Sequence, residues 1–383
     1  MKWLFFLGAL FLLVFELANA YFIMPMPGSQ EMESITLAYF LYSWRWSLRI
    51  LFGLLMLAGV RAAWKGSKWI TAFLFLLAGG VTYMVNAKMM AEQMFRQPSQ
   101  LILKSGKENT VDPDRLVIGI EYNGQAKAYP IQFIGHHHQV RDSIGGKPVI
   151  VTYCTVCRTG RVYEPIVKGA PEEFRLVGMD HFNAMFEDHR TKSWWRQVTG
   201  EAIAGPLKGE MLPEFPSTQT SLQSWLKLFP HTLIMQPDPA FESIYEGMSD
   251  FETGRTTGNL TIYDSTSWNR KSWIAGIVVG VNSKAYDWNQ LKKKKIIHDQ
   301  IGDTPILLFV TDQDRSLFGM VRNSAEQVFQ IQNDTLWNGI IPYDLLGRSL
   351  QAGVKDLDRV NVYQEYWHSW QTFHPLTERY LQE

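Results

Sequence analysis

Three apolar stretches near the N-terminus decide most about what this chain can become. Trp3 to Ala18 is apolar apart from Glu16, follows a single Lys2 and leads into Ala18-Asn19-Ala20. Signal peptidase cuts such small-x-small endings, so 1–24 reads either as a signal peptide or as a first transmembrane helix. Apolar residues run again over 35–60 and 69–87, each long enough to cross a hydrocarbon core that takes ~20 residues of helix. Arg61, Lys65 and Lys68 lie between these two stretches, whereas the loop after the first has Glu31 and Glu33 and no basic residue. The positive-inside bias makes the basic loop cytoplasmic. The expectation is therefore a membrane protein whose large C-terminal domain, from about Lys88 onward, lies on the extracytoplasmic side, periplasmic or extracellular.

Arg45 and Arg49 fall four residues apart within the second stretch. A charge at mid-bilayer costs ~2.5–3.5 kcal/mol on insertion scales. Either they pair with Glu16 or a partner subunit, or the span starts near Ile50 and leaves them at the interface.

Beyond the membrane region the sequence reads as an internal duplication. Ile118-Gly119-Ile120 and Lys127-Ala128-Tyr129 recur as Ala275-Gly276-Ile277 and Lys284-Ala285-Tyr286 at a 157-residue shift. The same shift carries Asp142, Ile144, Gly145 and Pro148 onto Asp299, Ile301, Gly302 and Pro305. Further on, Trp225, Phe229-Pro230 and Thr232 have counterparts in Trp370, His374-Pro375 and Thr377. A first repeat at 96–235, a connector at 236–270 and a second repeat at 271–383 follow. Each copy opens with strand-like segments around an Asn123-Gly124 hairpin signal and a Gly145-Gly146 turn, and turns helix-compatible near Ser221 to Leu228. The expected architecture is α+β: N-terminal transmembrane helices followed by a β-rich exported domain made of two tandem similar lobes.

The 37 basic and 37 acidic residues cancel, so no global field attracts a nucleic acid. The chain has only two cysteines, Cys154 and Cys157, which excludes a multi-disulfide scaffold and leaves one local pair to explain. The pair follows the strand-like run from Lys147 to Tyr153, and Arg158 to Pro165 reads as a further strand, which is not the strand-to-helix context of a thioredoxin-like motif. Both thiolates can reach one soft ion, with His137 or His138 adding a nitrogen. Read as a strand, His136 and His138 share one face and His137 takes the other. The competing readings are a redox-active pair and an inert local disulfide.

In the second copy Cys154 aligns with Thr311, Cys157 with Asp314, His137 with Lys294 and His138 with Lys295. A fold requirement should survive in both copies, so this one-sided loss points to chemistry in the first. Two neighbouring clusters are further candidates. His181, within Gly178 to Met185, could extend a metal site; Asp188, Ser193, Trp194 and Gln197 combine acid, hydroxyl, indole and amide as ligand-binding sites often do. Lys292 to Lys295 reads as a solvated face. No phosphate loop, Ser-His-Asp signature or glycosidase carboxylate pair is present, and no catalytic residue is assigned.

On Ala128-Tyr129-Pro130, His137 with Asp142, Val151-Thr152-Tyr153-Cys154-x-x-Cys157, Asp188…Ser193-Trp194…Gln197…Thr199-Gly200, Ala204-Gly205 and Trp370…Phe373…Pro375…Thr377, the chain resembles the bacterial and archaeal family catalogued as domain of unknown function 3179. The resemblance covers about Arg96 to Glu383. It departs at Thr155, where proline is common, and at His138, where an acidic residue is usual. It implies that the cysteines and His137 belong to one shared site, and it supplies no substrate. The leading expectation is an envelope protein binding a soft metal ion, copper before zinc. The alternatives are a thiol-disulfide or metal-assisted oxidoreductase, and a non-catalytic binding or assembly module with an inert disulfide. The membrane is the one partner expected; a protein partner or small-molecule ligand is not specified by the sequence.

Overall fold

A computed structural model describes residues 1–311, 313 and 315–381. The N-terminal apolar residues form the helices Lys2–Tyr21, Arg45–Gly66 and Lys68–Met84, the last continuing through a π turn to Met89. Among the described residues these three are long and apolar enough to cross a membrane. The run expected as one span over 35–60 is divided, because Ile35–Ser43 is a separate short helix and the chain turns at Trp44.

Two glycines let the first and second long helices touch. A Cβ on Gly8 would lie 2.7 Å from the Phe52 carbonyl oxygen, and one on Gly59 would lie 2.3 Å from the Phe5 nitrogen. Small residues at such crossings permit the close backbone approach that packs helices in lipid. Arg49 pairs with Glu16: its Nε and Nη2 donate to the two oxygens of the fully buried Glu16 at 2.7 and 2.9 Å, and Nη2 also donates to Asn86 Oδ1 at 2.8 Å. Arg45, at the helix start, instead donates to the Tyr42 carbonyl at 2.6 Å and lies over the Tyr42 ring.

The chain divides into two compact units, 1–96 with 172–211, and 97–171 with 212–383. Residues 172–211, expected within a first repeat at 96–235, belong to the helical unit. There it forms a four-stranded sheet in the order Ala202–Ala204, Trp194–Arg196, Asn183–Asp188, Phe174–Asp180. Specific contacts hold it. The Met179 N–H donates to the Ile23 carbonyl at 2.8 Å, and Gly178 leaves room for that approach. Arg175 reaches Glu187, Glu92 and the Tyr42 hydroxyl at 2.7, 2.8 and 2.6 Å, and Tyr39 and Tyr42 pack edge-on to Trp194.

In the second unit, Leu116–Tyr122 pairs antiparallel with Gln125–Pro130 across Asn123 and Gly124, both at positive φ. Thr218–Ser221 flanks this hairpin antiparallel on one side, and Leu233–Met235 runs parallel on the other. The helix Ile131–His137 leads into a three-stranded sheet of Gln139–Ile144, Lys147–Cys154 and Thr159–Tyr163. The same order of pairings occurs with Trp273–Val279, Asn282–Asp287, Val362–Tyr366 and Glu378–Arg379, then the helix Trp288–Lys294, then Ile296–Ile301, Thr304–Thr311 and Ser316–Val321.

Side chains repeat with it. Lys127 and the Tyr129 hydroxyl hold Asp142 at 2.8 and 2.7 Å; Lys284 and the Tyr286 hydroxyl hold Asp299 at 2.8 and 2.9 Å. Trp225 Nε1 donates to Thr232 and Trp370 Nε1 to Thr377. Those indoles lie over Gly119 and Gly276, where any side chain would collide with them. Separate cores form around Val117, Tyr129, Ile134, Val151 and Trp225, and around Ala275, Tyr286, Leu291 and Ile306. Burying each large apolar side chain contributes roughly 1.5–3 kcal/mol, enough to drive both.

Candidate functional site

Cys154 ends the strand Lys147–Cys154, and Cys157 lies in the tight turn that leads to Thr159–Tyr163. The turn closes through Arg158, which has a left-handed φ of 56°. Cys154 and Cys157 are thiols, both buried, 3.8 Å apart. They contact each other by a hydrogen bond, and Cys157 also hydrogen-bonds Ser369. Burial pushes the Cys157 thiol well above its ordinary value, with the Cys154 hydrogen bond adding to the rise.

Residues far along the chain shape this turn. The Tyr366 N–H donates to the Cys157 carbonyl at 2.9 Å, and Lys271 Nζ donates to the Val156 carbonyl at 2.7 Å. Burial draws the Lys271 ammonium down to about 8 against the opposing pull of both thiols. Glu365 accepts from the Thr159 hydroxyl at 2.9 Å, from Arg161 and from the Ser369 hydroxyl at 3.2 Å. Glu365 is fully buried and Arg161 nearly so. This pair anchors the strand after the turn to Val362–Tyr366.

Sequence reasoning missed Glu365, Ser369 and Lys271. A signal existed for Glu365. The shift that aligns Trp225 with Trp370 sets Glu365 against Thr220, and a carboxylate replacing a hydroxyl on an otherwise buried strand marks a special partner.

The histidines are differently placed than a strand would put them. Gln125–Pro130 ends at Pro130, and Ile131–His137 is a helix closed by His138 at a φ of 62°. Proline lacks the N–H a continuing ladder needs and suits a helix start. The alternation expected for His136, His137 and His138 is therefore replaced by helical spacing. His137 Nε2 lies 2.6 Å from the Tyr245 hydroxyl, and its ring packs edge-on to Phe241. His138 Nδ1 donates to the His136 carbonyl at 3.1 Å, and burial lowers its pKa to about 4, which keeps the ring neutral.

Among the described residues no group of three or more His, Cys, Asp or Glu side chains is arranged to hold a metal ion. The thiols are brought together; His137 and His138 do not join them as a donor set. Asp314, the position aligned with Cys157, lies outside the described residues.

His181 belongs to the helical unit, in the turn between Phe174–Asp180 and Asn183–Asp188. Its Nδ1 is 2.8 Å from Asp180, whose hydrogen bond raises its pKa, and its Nε2 is 3.4 Å from Glu33. The polar cluster after it is directed inward on its own loop. Asp188 accepts from the Thr191 N–H and hydroxyl, the Ser193 N–H and Trp195 Nε1. Trp194 Nε1 donates to Glu187, and Gln197 Oε1 accepts from Asn183.

These features define a mixed helix and sheet protein with an apolar helical N-terminus suited to membrane association and a β-rich body that carries one buried dithiol. The chain belongs to the DUF3179 family, described as a protein of unknown function, whose family model matches residues 100–377. No curated protein and no solved structure matches it.

Proposed function

We propose that this is a membrane-anchored envelope protein whose exported, internally duplicated domain binds one soft metal ion through Cys154 and Cys157, copper before zinc. The observation that carries the reading is the 3.8 Å separation of the pair. Two thiolates at ~2.3 Å from one ion, at an angle between tetrahedral and trigonal, lie roughly 3.8–4.0 Å apart. Structural zinc takes four protein ligands and catalytic zinc usually three, whereas a donor set dominated by two thiolates suits Cu(I). The Lys271 ammonium beside the pair works against the burial that holds the Cys157 thiol up, and a bound metal would displace the thiol protons. Duplication is supported by the recurring strand pairings and by the matched Asp142 and Asp299 clusters. Export rests on the basic loop between the second and third long helices.

A second reading is favoured by the direct hydrogen bond between the two thiols. As a dithiol-disulfide couple they would give two electrons and two protons to an oxidised disulfide partner and close a bond within the turn.

The test is made on the full-length protein purified in detergent without chelator, measuring metal content and free thiols together. About one equivalent of copper or zinc that disappears in Cys154→Ser supports the metal site. Metal-free protein with both sulfurs oxidised overturns it; the reduction potential then separates the redox couple from an inert staple.

A further inference from the structure

The first and second long helices run antiparallel, because Gly8 of one lies against Phe52 and Met56 of the other, and Gly59 lies against Met1 and Phe5. The start of Lys2–Tyr21 is therefore beside the end of Arg45–Gly66, and Lys68–Met84 begins after the single residue Ser67. Segments far apart in sequence thus meet at one end of the helical unit. Four cations gather there, Lys2, Arg61, Lys65 and Lys68, all exposed. Three indoles accompany them, each next to a lysine along the chain: Trp3 beside Lys2, Trp64 beside Lys65 and Trp69 beside Lys68. These rings are 68%, 47% and 87% exposed, although each is large and apolar.

No acid shares this end of the helices. Residues 1–15 and 34–91 contain neither Asp nor Glu. Glu16 lies roughly 21 Å further along the first helix, at 1.5 Å per residue, where it is bound to Arg49. Arg61 and Lys65 are four residues apart on one helix, a like-charge spacing that weakens the helix unless an anion lies between them. Tryptophan settles at headgroup depth because its ring is apolar and its N–H polar. Four or more Lys and Arg residues flanking a membrane helix attract anionic headgroups.

We propose that this end of the helical unit is a docking surface for anionic phospholipid, whose phosphates are received by Lys2, Arg61, Lys65 and Lys68 while Trp3, Trp64 and Trp69 lie at the level of the glycerol backbones. Zwitterionic headgroups bring an ammonium that opposes the same contacts, so the surface discriminates by headgroup charge. The inference rests on the reading that the long helices cross a membrane, and it is independent of the dithiol.

Full-length protein is reconstituted in phosphatidylcholine bilayers containing increasing fractions of phosphatidylglycerol with brominated chains, which quench tryptophan on contact; brominated phosphatidylcholine is the reference. A preference for phosphatidylglycerol of about fivefold or more is expected, roughly what one cation near an anionic surface contributes, and it should shrink as salt is raised. Replacing the turn cations together, Arg61→Gln with Lys65→Gln and Lys68→Gln, should bring the two lipids to equal quenching. Lys107→Gln with Lys293→Gln and Lys355→Gln removes the same charge from exposed positions of the body and should keep the preference. Lys2→Gln, which should lower it in the same direction, gives a second variant should the triple replacement fold poorly. Equal quenching by the two lipids in the parent, or a preference that survives loss of the turn cations, overturns the proposal. Protein that leaves the vesicles in an alkaline wash overturns the membrane reading together with it, whereas protein that stays and shows no preference overturns the lipid surface alone.

Discussion

The backbone N–H of Tyr366 donates to the carbonyl of Cys157 at 2.9 Å, so the dithiol turn and the strand Val362–Tyr366 hold each other in place. The turn is shaped by the half of the body that lacks cysteines. The position of the turn therefore depends on buried groups supplied by a strand some two hundred residues away along the chain.

Glu365→Gln should destabilise the protein by roughly 3–5 kcal/mol, because it removes the counter-charge of the buried Arg161 while leaving that guanidinium in place. Chemical denaturation of the detergent-solubilised protein, followed by tryptophan fluorescence, measures this. A change below about 1 kcal/mol would show that the pair contributes as little as a surface bridge.

Gly119→Ala and Gly276→Ala should each cost roughly 1–3 kcal/mol or more through overpacking. The new Cβ atoms would meet the Trp225 and Trp370 rings at 2.4 and 2.2 Å. Similar losses in thermal midpoint are expected from the two variants, since the same indole covers each site. Gly124→Ala meets nothing within 4 Å but has a φ of 74°, so it should register backbone strain without a clash.

Burial raises the Glu252 carboxyl to about 7 from an ordinary 4.5. The fold therefore favours the neutral acid. The associated stability is fully present below about pH 4.5 and is lost as pH rises through about 7, a change of about 3 kcal/mol. Unfolding free energies measured across that window should fall in the parent and stay flatter in Glu252→Gln, which keeps the neutral form at every pH. Equal slopes in the two proteins would remove Glu252 from the account.

Arg49→Gln should loosen the helical unit by about 3 kcal/mol or more, since Glu16 would remain buried without its charged partner. The double variant Arg49→Gln with Glu16→Gln should recover part of that loss. Unfolding in mixed detergent micelles, read through helical content, tests both.

Much of the body was legible in the sequence. Asn123-Gly124 and Gly145-Gly146 are turns because positive φ at successive residues is cheap for these types. Trp225 and Trp370 could be matched by spacing before their glycine partners were known. The histidines were misread because a short helix behind Pro130 leaves the same local composition as a strand, and only the backbone path separates the two. In the Asp188 to Gln197 cluster, acid, hydroxyl and indole satisfy one another inside a tight loop, a pairing that composition alone does not reveal.

The sequence by itself determined the apolar helices, the strand-and-turn order and the close spacing of Cys154 and Cys157, because each is set by residues near one another along the chain. Only the tertiary structure decided that Arg49 meets Glu16, that residues 172–211 join the helical unit, and that Glu365, Ser369 and Lys271 surround the thiols. Those contacts form between segments far apart in sequence, where burial and charge compensation select the partner and no local pattern records it.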